Sequence, residues 1–199
     1  MAIAAERGYA KGRAKRAEII ERATALFGEA GYRGSSLREI AARCGISHPG
    51  LLHHFATKEA LLTAVLQHRD EEDVAQLFTP AVGGVDQLRR IVELAARNET
   101  RRGIVELYCV LSAEATSADH PAHDYFVRRY RASVGGMRDA YAQARDHGAL
   151  RDGVDAETAG RELVAVMDGL QVQWLLDGGA TPMADLVRRH VQERLTVPL

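Results

Sequence analysis

Apolar residues recur at the 3.6-residue spacing of an α-helix along nearly the whole chain. Ile19, Ile20, Ala23, Leu26, Phe27 and Ala30 form one stripe, which Gly31 ends. Ser35 or Ser36 can cap a short second helix carrying Leu37, Ile40, Ala41 and Cys44, closed by Gly45. Ser47 can cap a third, with Pro49 tolerated in its first turn. Thr57 can cap a fourth, whose Leu61, Leu62, Val65 and Leu66 give way to QHRDEED and then VAQLF before Pro80. Beyond the break TPAVGG, helices are predicted near 85–98, 101–117, 121–147, 155–177 and 182–196. Pro121 and Pro182 stand where helices begin, and Gly148, Gly153, Gly178 and Gly179 where they end. No alternating run is long enough for a strand, and no repeat is present, so the pattern predicts an all-α chain of about nine helices.

Residues 37–55, LREIAARCGISHPGLLHHF, hold the sharpest local constellation. Ile40, Ala41, Cys44, Ile46, Leu51 and Phe55 are spaced to pack two short helices across a tight turn. Ala41 leaves room for the second helix, and Gly45 can take the left-handed turn conformation. This is the pattern of a helix-turn-helix. With Leu51 and Phe55 facing the core, Pro49 and His53 point the opposite way, and His48, Gly50, Leu52 and His54 lie on the flanks. His53 is thereby placed to enter a DNA major groove, with His54 within reach of the phosphates. Lys58, in the first turn after Thr57, adds a cation and exposed backbone N–H groups. Adjacent histidines on a helix diverge by about 100°; no carboxylate or thiol at i+3 or i+4 completes a metal site there.

Charge sharpens the division. Net charge is −1, but residues 1–60 carry ten Lys+Arg against six Asp+Glu, while the remainder is acidic. A basic head on an acidic body suggests that one end meets a polyanion. We therefore expect a head over 1–60, with its motif at 36–55, and a helical body over 61–199. The segment RGYAKGRAKR, 7–16, has five basic residues and no apolar period, which fits either a flexible arm reaching a minor groove or a solvated tail. Cys44 and Cys109 sit in apolar helical contexts far apart and read as free thiols in a reducing, cytoplasmic setting. No apolar leader follows Met1, and apolar runs fall short of the ~20 residues of a membrane span.

The stretch GYRGSSLREIAARCGISHPGLLHHFATKEALLTAV resembles the DNA-binding head of the TetR (tetracycline-repressor-like) family, over roughly residues 15–66. The Gly31-Tyr32, Ile40-Ala41, Gly45-Ile46-Ser47, Phe55 and Lys58-Glu59 landmarks carry the likeness. The body resembles the family in length, helix count and the DGLQVQWLLD style of its penultimate helix. The resemblance implies contacts to double-stranded operator DNA from Ser36, Leu37, Arg38, Ser47, His48, Pro49, His53, His54 and Lys58. An arginine such as Arg38 can take guanine O6 and N7 together, worth ~1–3 kcal/mol of discrimination; its alternative is a solvated side chain beside Glu39. Two positions depart from the family pattern. Leu52 stands where a tyrosine usually reaches a phosphate, and Gly50 replaces a side chain that could touch a base.

In the body, GIVELYCVLSAEA, 103–115, is apolar almost all round and should be a central helix. Phe126, Tyr130, Val134, Met137 and Tyr141 form one stripe; Leu163, Met167, Leu170 and Trp174 form another. These are either core or the wall of a cavity for an apolar small-molecule effector. The candidate lining is Tyr108, Leu111, Phe126, Tyr130, Met137, Tyr141, Met167 and Trp174. Gly135-Gly136 suggests a close helix approach or a bend. Asp168, set within VAVMDGLQVQWLL, must find solvent, a partner chain or a ligand. Further apolar faces, Val164, Val172 and Leu175, then Met183, Leu186, Val187, Val191 and Leu195, suggest a homodimer through four helices, which the resemblance also implies. The cluster DHPAHD, 119–124, reads as a polar loop ahead of a helix rather than a metal site.

No G-x-S-x-G, CxxC, phosphate-binding loop or dinucleotide fingerprint is present, so no cofactor and no catalytic residue is assigned. The expectation is a ligand-responsive transcriptional regulator, most simply a repressor. The competing one is a helical enzyme or sequestering protein whose head no longer reads DNA.

Overall fold

In the computed structural model, the backbone is described for residues 2–77 and 84–199, and side chains for 10–70 and 84–199. The described residues form nine helices in chain order: α1 (Ala2–Gly34), α2 (Leu37–Arg43), α3 (His48–His54), α4 (Lys58–Leu77), α5 (Val85–Asn98), α6 (Arg102–Glu114), α7 (His123–Asp146), α8 (Ala156–Leu176) and α9 (Met183–Gln192). Among them, no helix is long and apolar enough to cross a membrane. The only extended pairing among them is a single bridge between Leu150 and Leu195. The break TPAVGG lies largely outside the described residues.

Three expectations change. The basic segment 7–16 is helical and continuous with α1. Ala10, Ala14, Ala17 and the lysines and arginines between them are strong helix formers, which outweighs the missing apolar period. Gly135 and Gly136 neither break nor crowd α7, since a Cβ at either would meet nothing within 4 Å. The close approach is at Gly160 on α8, where a Cβ would lie 2.5 Å from the Arg138 backbone nitrogen. The apolar face of α9 is not surplus either: Met183, Val187, Val191 and Leu195 are buried within the chain, in a cluster shared with α5, α7 and α8.

Burial falls into two clusters. The first joins Ile19, Ala23, Leu26 and Phe27 of α1 to Ile40 and Ala41 of α2, Leu51 of α3, and Leu61, Leu62, Val65 and Leu66 of α4. It continues into the body through Leu107 and Leu111 of α6 and Phe126 of α7. The second is built from α5, α7, α8 and α9 around Leu88, Tyr141 and Leu163. Helix α6 therefore has α1 on one side and α8 on the other.

At Gly31 the backbone leaves helical geometry (φ 71, ψ 174), a conformation glycine adopts without cost. The turn packs on the Glu114 carboxylate, which accepts the Tyr32 backbone N–H at 2.7 Å. Arg33 pairs with Asp119 at 3.0 Å beside it. The DHPAHD loop holds this junction: His120 Nδ1 accepts the Ala122 N–H at 3.1 Å, and His123 Nδ1 lies 2.8 Å from the Ala115 carbonyl. With Nδ1 occupied as an acceptor, neutral His120 carries its proton on Nε2, 3.5 Å from Glu114. Among the described residues no group of His, Cys, Asp and Glu is arranged to hold a metal.

Candidate nucleic-acid interface and ligand cavity

Local rules set the α2–turn–α3 unit. Ser36 takes extended geometry and its Oγ accepts the Glu39 N–H, starting α2. The chain reverses at Gly45 (φ 63), with the Ile46 N–H donating to the Ala41 carbonyl at 3.0 Å. Ser47 Oγ then accepts the Gly50 N–H at 3.1 Å and starts α3, with Pro49 in the first turn. Thr57 Oγ1 accepts the Ala60 N–H and starts α4. Leu51 is fully buried and Phe55 nearly so, against Ile40, Ala41 and Cys44. Burying those two side chains turns the rest of α3 outward.

On the outward side Ser36, Arg38, Ser47, Pro49, Leu52 and His53 are exposed, and His48 and His54 are half-buried at its edge. The imidazole rings of His53 and His54 stand 5.7 Å apart, edge to face. Arg38 makes no hydrogen bond or ion pair among the described residues. Its neighbour Glu39 is taken by Arg43, which also pairs with Glu29 at 2.8 Å. Two of the expected contacts sit differently from the rest. Leu37 is half-buried and packs against the head core. The Lys58 ammonium turns inward, donating to the Ser35 carbonyl at 2.6 Å and lying 4.3 Å over the Tyr32 ring. Burial lowers its pKa. What α4 still offers outward at its start is backbone N–H and helix dipole.

A cavity of about 920 Å³ lies in the body between α4, α5, α6, α7 and α8. Of the eight side chains expected to line it, five do so: Tyr108, Phe126, Tyr130, Met137 and Met167. Leu111, Tyr141 and Trp174 do not. Leu111 is on the α1-facing side of α6, about 160° around the helix from the cavity-facing Ala113. Tyr141 is ~22 Å along α7 from Phe126, beyond the cavity, and is fully buried in the second cluster. Trp174 is packed near the end of α8 with its ring against Gly179.

The lining also holds a polar cluster that periodicity did not pick out. Asp70 accepts from the Tyr125 hydroxyl at 2.9 Å and pairs with Arg129 at 2.6 Å. The Tyr108 and Tyr125 hydroxyls are 2.6 Å apart, and the Arg69 guanidinium stacks 3.6 Å over the Tyr108 ring. Burial pushes the Tyr125 hydroxyl far above its ordinary range, with Tyr108 adding to the rise. A signal existed: Arg69 and Asp70 fall at i+7 from Leu62 and i+4 from Leu66, charged residues on a core-facing stripe. Across the cavity, Asp168 accepts from the Tyr130 hydroxyl at 2.9 Å. Burial raises the Asp168 pKa, and burial together with Asp168 pushes Cys109 up to about 11.

Comparison with known proteins decides what this architecture belongs to. Residues 19–65 match the family model of bacterial regulatory proteins, tetR family, and residues 84–196 match that of the BetI-type transcriptional repressor C-terminal region. The chain belongs to the TetR family of transcriptional regulators. Among relatives of this TetR-family chain, the regulator PksA of Bacillus subtilis is 26% identical over 82% of the chain and 80% of its own length. The repressor KstR2 of Rhodococcus jostii is 25% identical over 89% and 87%. Two solved structures share the fold: a TetR transcriptional regulator from Chloroflexus aurantiacus (TM-score 0.78, 21% identity, 93% of this chain and 98% of that one) and the SmeT–triclosan complex (0.75, 20%, 93% and 95%).

Within the TetR frame, the two departures on α3 have visible consequences. Leu52 is 37% exposed and presents an apolar surface on the outward side. Gly50 lies against the Ser47 cap, where a Cβ would come within 3.2 Å of the Oγ.

Proposed function

We propose that this TetR-family regulator acts as an effector-responsive repressor, reading a pseudopalindromic operator as a homodimer in the cytoplasm. The carrying observation is the solvent-facing side of α3, fixed by the Ser47 cap and by burial of Leu51 and Phe55. Residues 1–60 form the DNA-binding head, and 61–199 the effector-binding and dimerising body. On that division, Arg38, Ser47, Pro49 and His53 read base edges, while Ser36, His48, His54 and the backbone N–H groups at Leu37 and at the start of α4 at Lys58 contact phosphates and set the register. The Lys58 contact runs through backbone N–H groups, because its ammonium is engaged inside the head.

Dimerisation is assigned to the exposed C-terminal end of α8, where Leu176 is 83% exposed. Two heads on a two-fold axis would meet successive major grooves about 34–36 Å apart. The effector occupies the 920 Å³ cavity. Helix α6 supports coupling between the two regions: Tyr108, Cys109 and Ser112 line the cavity, while Leu107, Leu111 and Glu114 hold α1. An effector that displaces α6 therefore tilts the head and changes head spacing. Moving the population from 1:99 to 99:1 takes about 5.5 kcal/mol of differential affinity. Operator DNA must weaken effector binding by the same factor.

The test is selection of bound duplexes from a random pool, followed by a small-molecule screen for release. Recovery of a site whose complex weakens with salt supports a regulator. Loss of any specific, salt-sensitive complex supports a sequestering protein instead.

A further inference from the structure

We propose that the cavity selects a lipophilic amine, an apolar body carrying a protonated nitrogen with N–H donors, and that Asp168 is its counter-charge. The inference rests on reading the cavity as the effector site and adds the chemical class of its occupant.

The two carboxylates in the lining are in opposite states. Asp70 is saturated: the Tyr125 hydroxyl contacts both of its oxygens at 2.9 Å, Tyr108 approaches at 3.4 Å, and Arg129 neutralises it at 2.6 Å. Asp168 receives one hydrogen bond, from Tyr130, and has no ion-pair partner among the described residues. A carboxylate offers about four acceptor positions, so most of the capacity of Asp168 is open. Its surroundings are apolar, with Met167, Val164, Val172 and Met137 in the same lining. A carboxylate held there is costly unless a donor or cation completes it. Burial already pushes its pKa upward.

The rest of the lining suits the remainder of such a molecule. Phe126 and Tyr130, with ring centres 6.5 Å apart, offer faces that hold an apolar body and attract a cation beside it. An anion in the same place would face Asp168; of the arginines in the lining, Arg129 is paired with Asp70 and Arg69 is stacked on the Tyr108 ring on the Asp70 side. Arg128 lies at the exposed rim of the cavity. A neutral donor could fill one acceptor position but would leave the charge unmatched.

Three fluorescent probes sharing one body test this: 1-pyrenemethylamine, 1-pyrenemethanol and 1-pyrenecarboxylic acid, titrated into the full chain at neutral pH. The amine should bind at least about tenfold more tightly than the alcohol, the lower end of what a charge-assisted hydrogen bond supplies, and the acid most weakly. Asp168→Asn should bring amine and alcohol within about threefold, with an unchanged helical circular-dichroism spectrum and melting temperature as the check on folding. Tyr130→Phe, which keeps the carboxylate and removes its one donor, should retain the preference. If Asp168→Asn fails to fold, the order of the probes on the wild type decides. Equal binding of the three, preference for the acid, no binding of the amine, or a preference that survives Asp168→Asn overturns the proposal. Gel shifts on the selected operator separate this from the function above. An amine that binds through Asp168 without releasing DNA leaves the ligand class standing and removes the cavity as an effector site.

Discussion

Replacing Gly160 with alanine tests how tightly α7 and α8 are packed. In an exposed helix interior the change would stabilise, since alanine is favoured over glycine by about 1 kcal/mol. At Gly160 the added Cβ would lie 2.5 Å from the Arg138 nitrogen, 3.0 Å from its Cα and 3.1 Å from the Met137 carbonyl carbon. All three are backbone atoms of α7, so no side-chain rotation relieves them and the helices must part. Overpacking costs about 1–3 kcal/mol, and with backbone on the receiving side the upper end applies. Against the propensity gain, a net loss of roughly 2 kcal/mol remains, or a fall in Tm of ~4–8 °C for a chain of this size. Gly135→Ala is the paired control: a Cβ there meets nothing within 4 Å, so the same substitution should raise Tm by ~2–4 °C. Circular-dichroism or calorimetric melts at one fixed protein concentration measure both. Gly160→Ala melting at or above the wild type would refute the packing argument. Because Met137 also lines the cavity, Gly160→Ala should alter probe affinity while Gly135→Ala leaves it unchanged.

Arg38→Ala should weaken the selected operator complex by about 1–3 kcal/mol and relax preference at one base position; a uniform loss across all duplexes in gel shifts would make it a phosphate contact instead. Leu52→Tyr should tighten binding to operator and unrelated DNA alike, by about the 1.5–3 kcal/mol of a hydrogen bond to a charged group, and unchanged anisotropy titrations would place position 52 away from phosphate. Glu114→Ala removes the acceptor of the Tyr32 N–H and should cost about 1–3 kcal/mol in denaturant melts, with weaker ligand-induced release of DNA. Burial lowers the pKa of His120 and of His190, so both are neutral in the fold where the unfolded chain still takes up protons. Their stabilisation is complete above about pH 6.5 and is lost as pH falls through the lowered values, so denaturant midpoints should drop on acidification below 6.5 and His120→Gln should flatten that slope. A midpoint that rises on acidification would contradict it.

The helix-turn-helix was legible because everything that builds it is local. Ser36, Ser47 and Thr57 cap within three residues, and Ile40, Ala41, Leu51 and Phe55 bury at helical spacing. The cavity was half legible. Aromatic and methionine stripes marked α7 and α8, but which end of a stripe borders empty space depends on where other helices stop. Tyr141 and Trp174 therefore fell in the core. The Asp70–Tyr125–Arg129 cluster joins residues more than fifty positions apart, so only the charges on the α4 stripe hinted at it. The face of α9 was apolar in either case; sequence did not distinguish burial on α5 from burial on a second copy. The inward turn of Lys58 depends on the Ser35 carbonyl and the Tyr32 ring, which the Gly31 turn brings there.

The most direct measurement is random-pool selection with the full chain, followed by anisotropy titration of the selected duplex against a scrambled one at two salt concentrations. A two-fold symmetric consensus with half-sites about one helical turn apart is expected, bound at least ~10³-fold more tightly than the scrambled duplex and weakened by replacing His53 and Arg38. A pool that returns no symmetric consensus, or complexes indifferent to both substitutions, would contradict the assignment of the outward side of α3 to DNA.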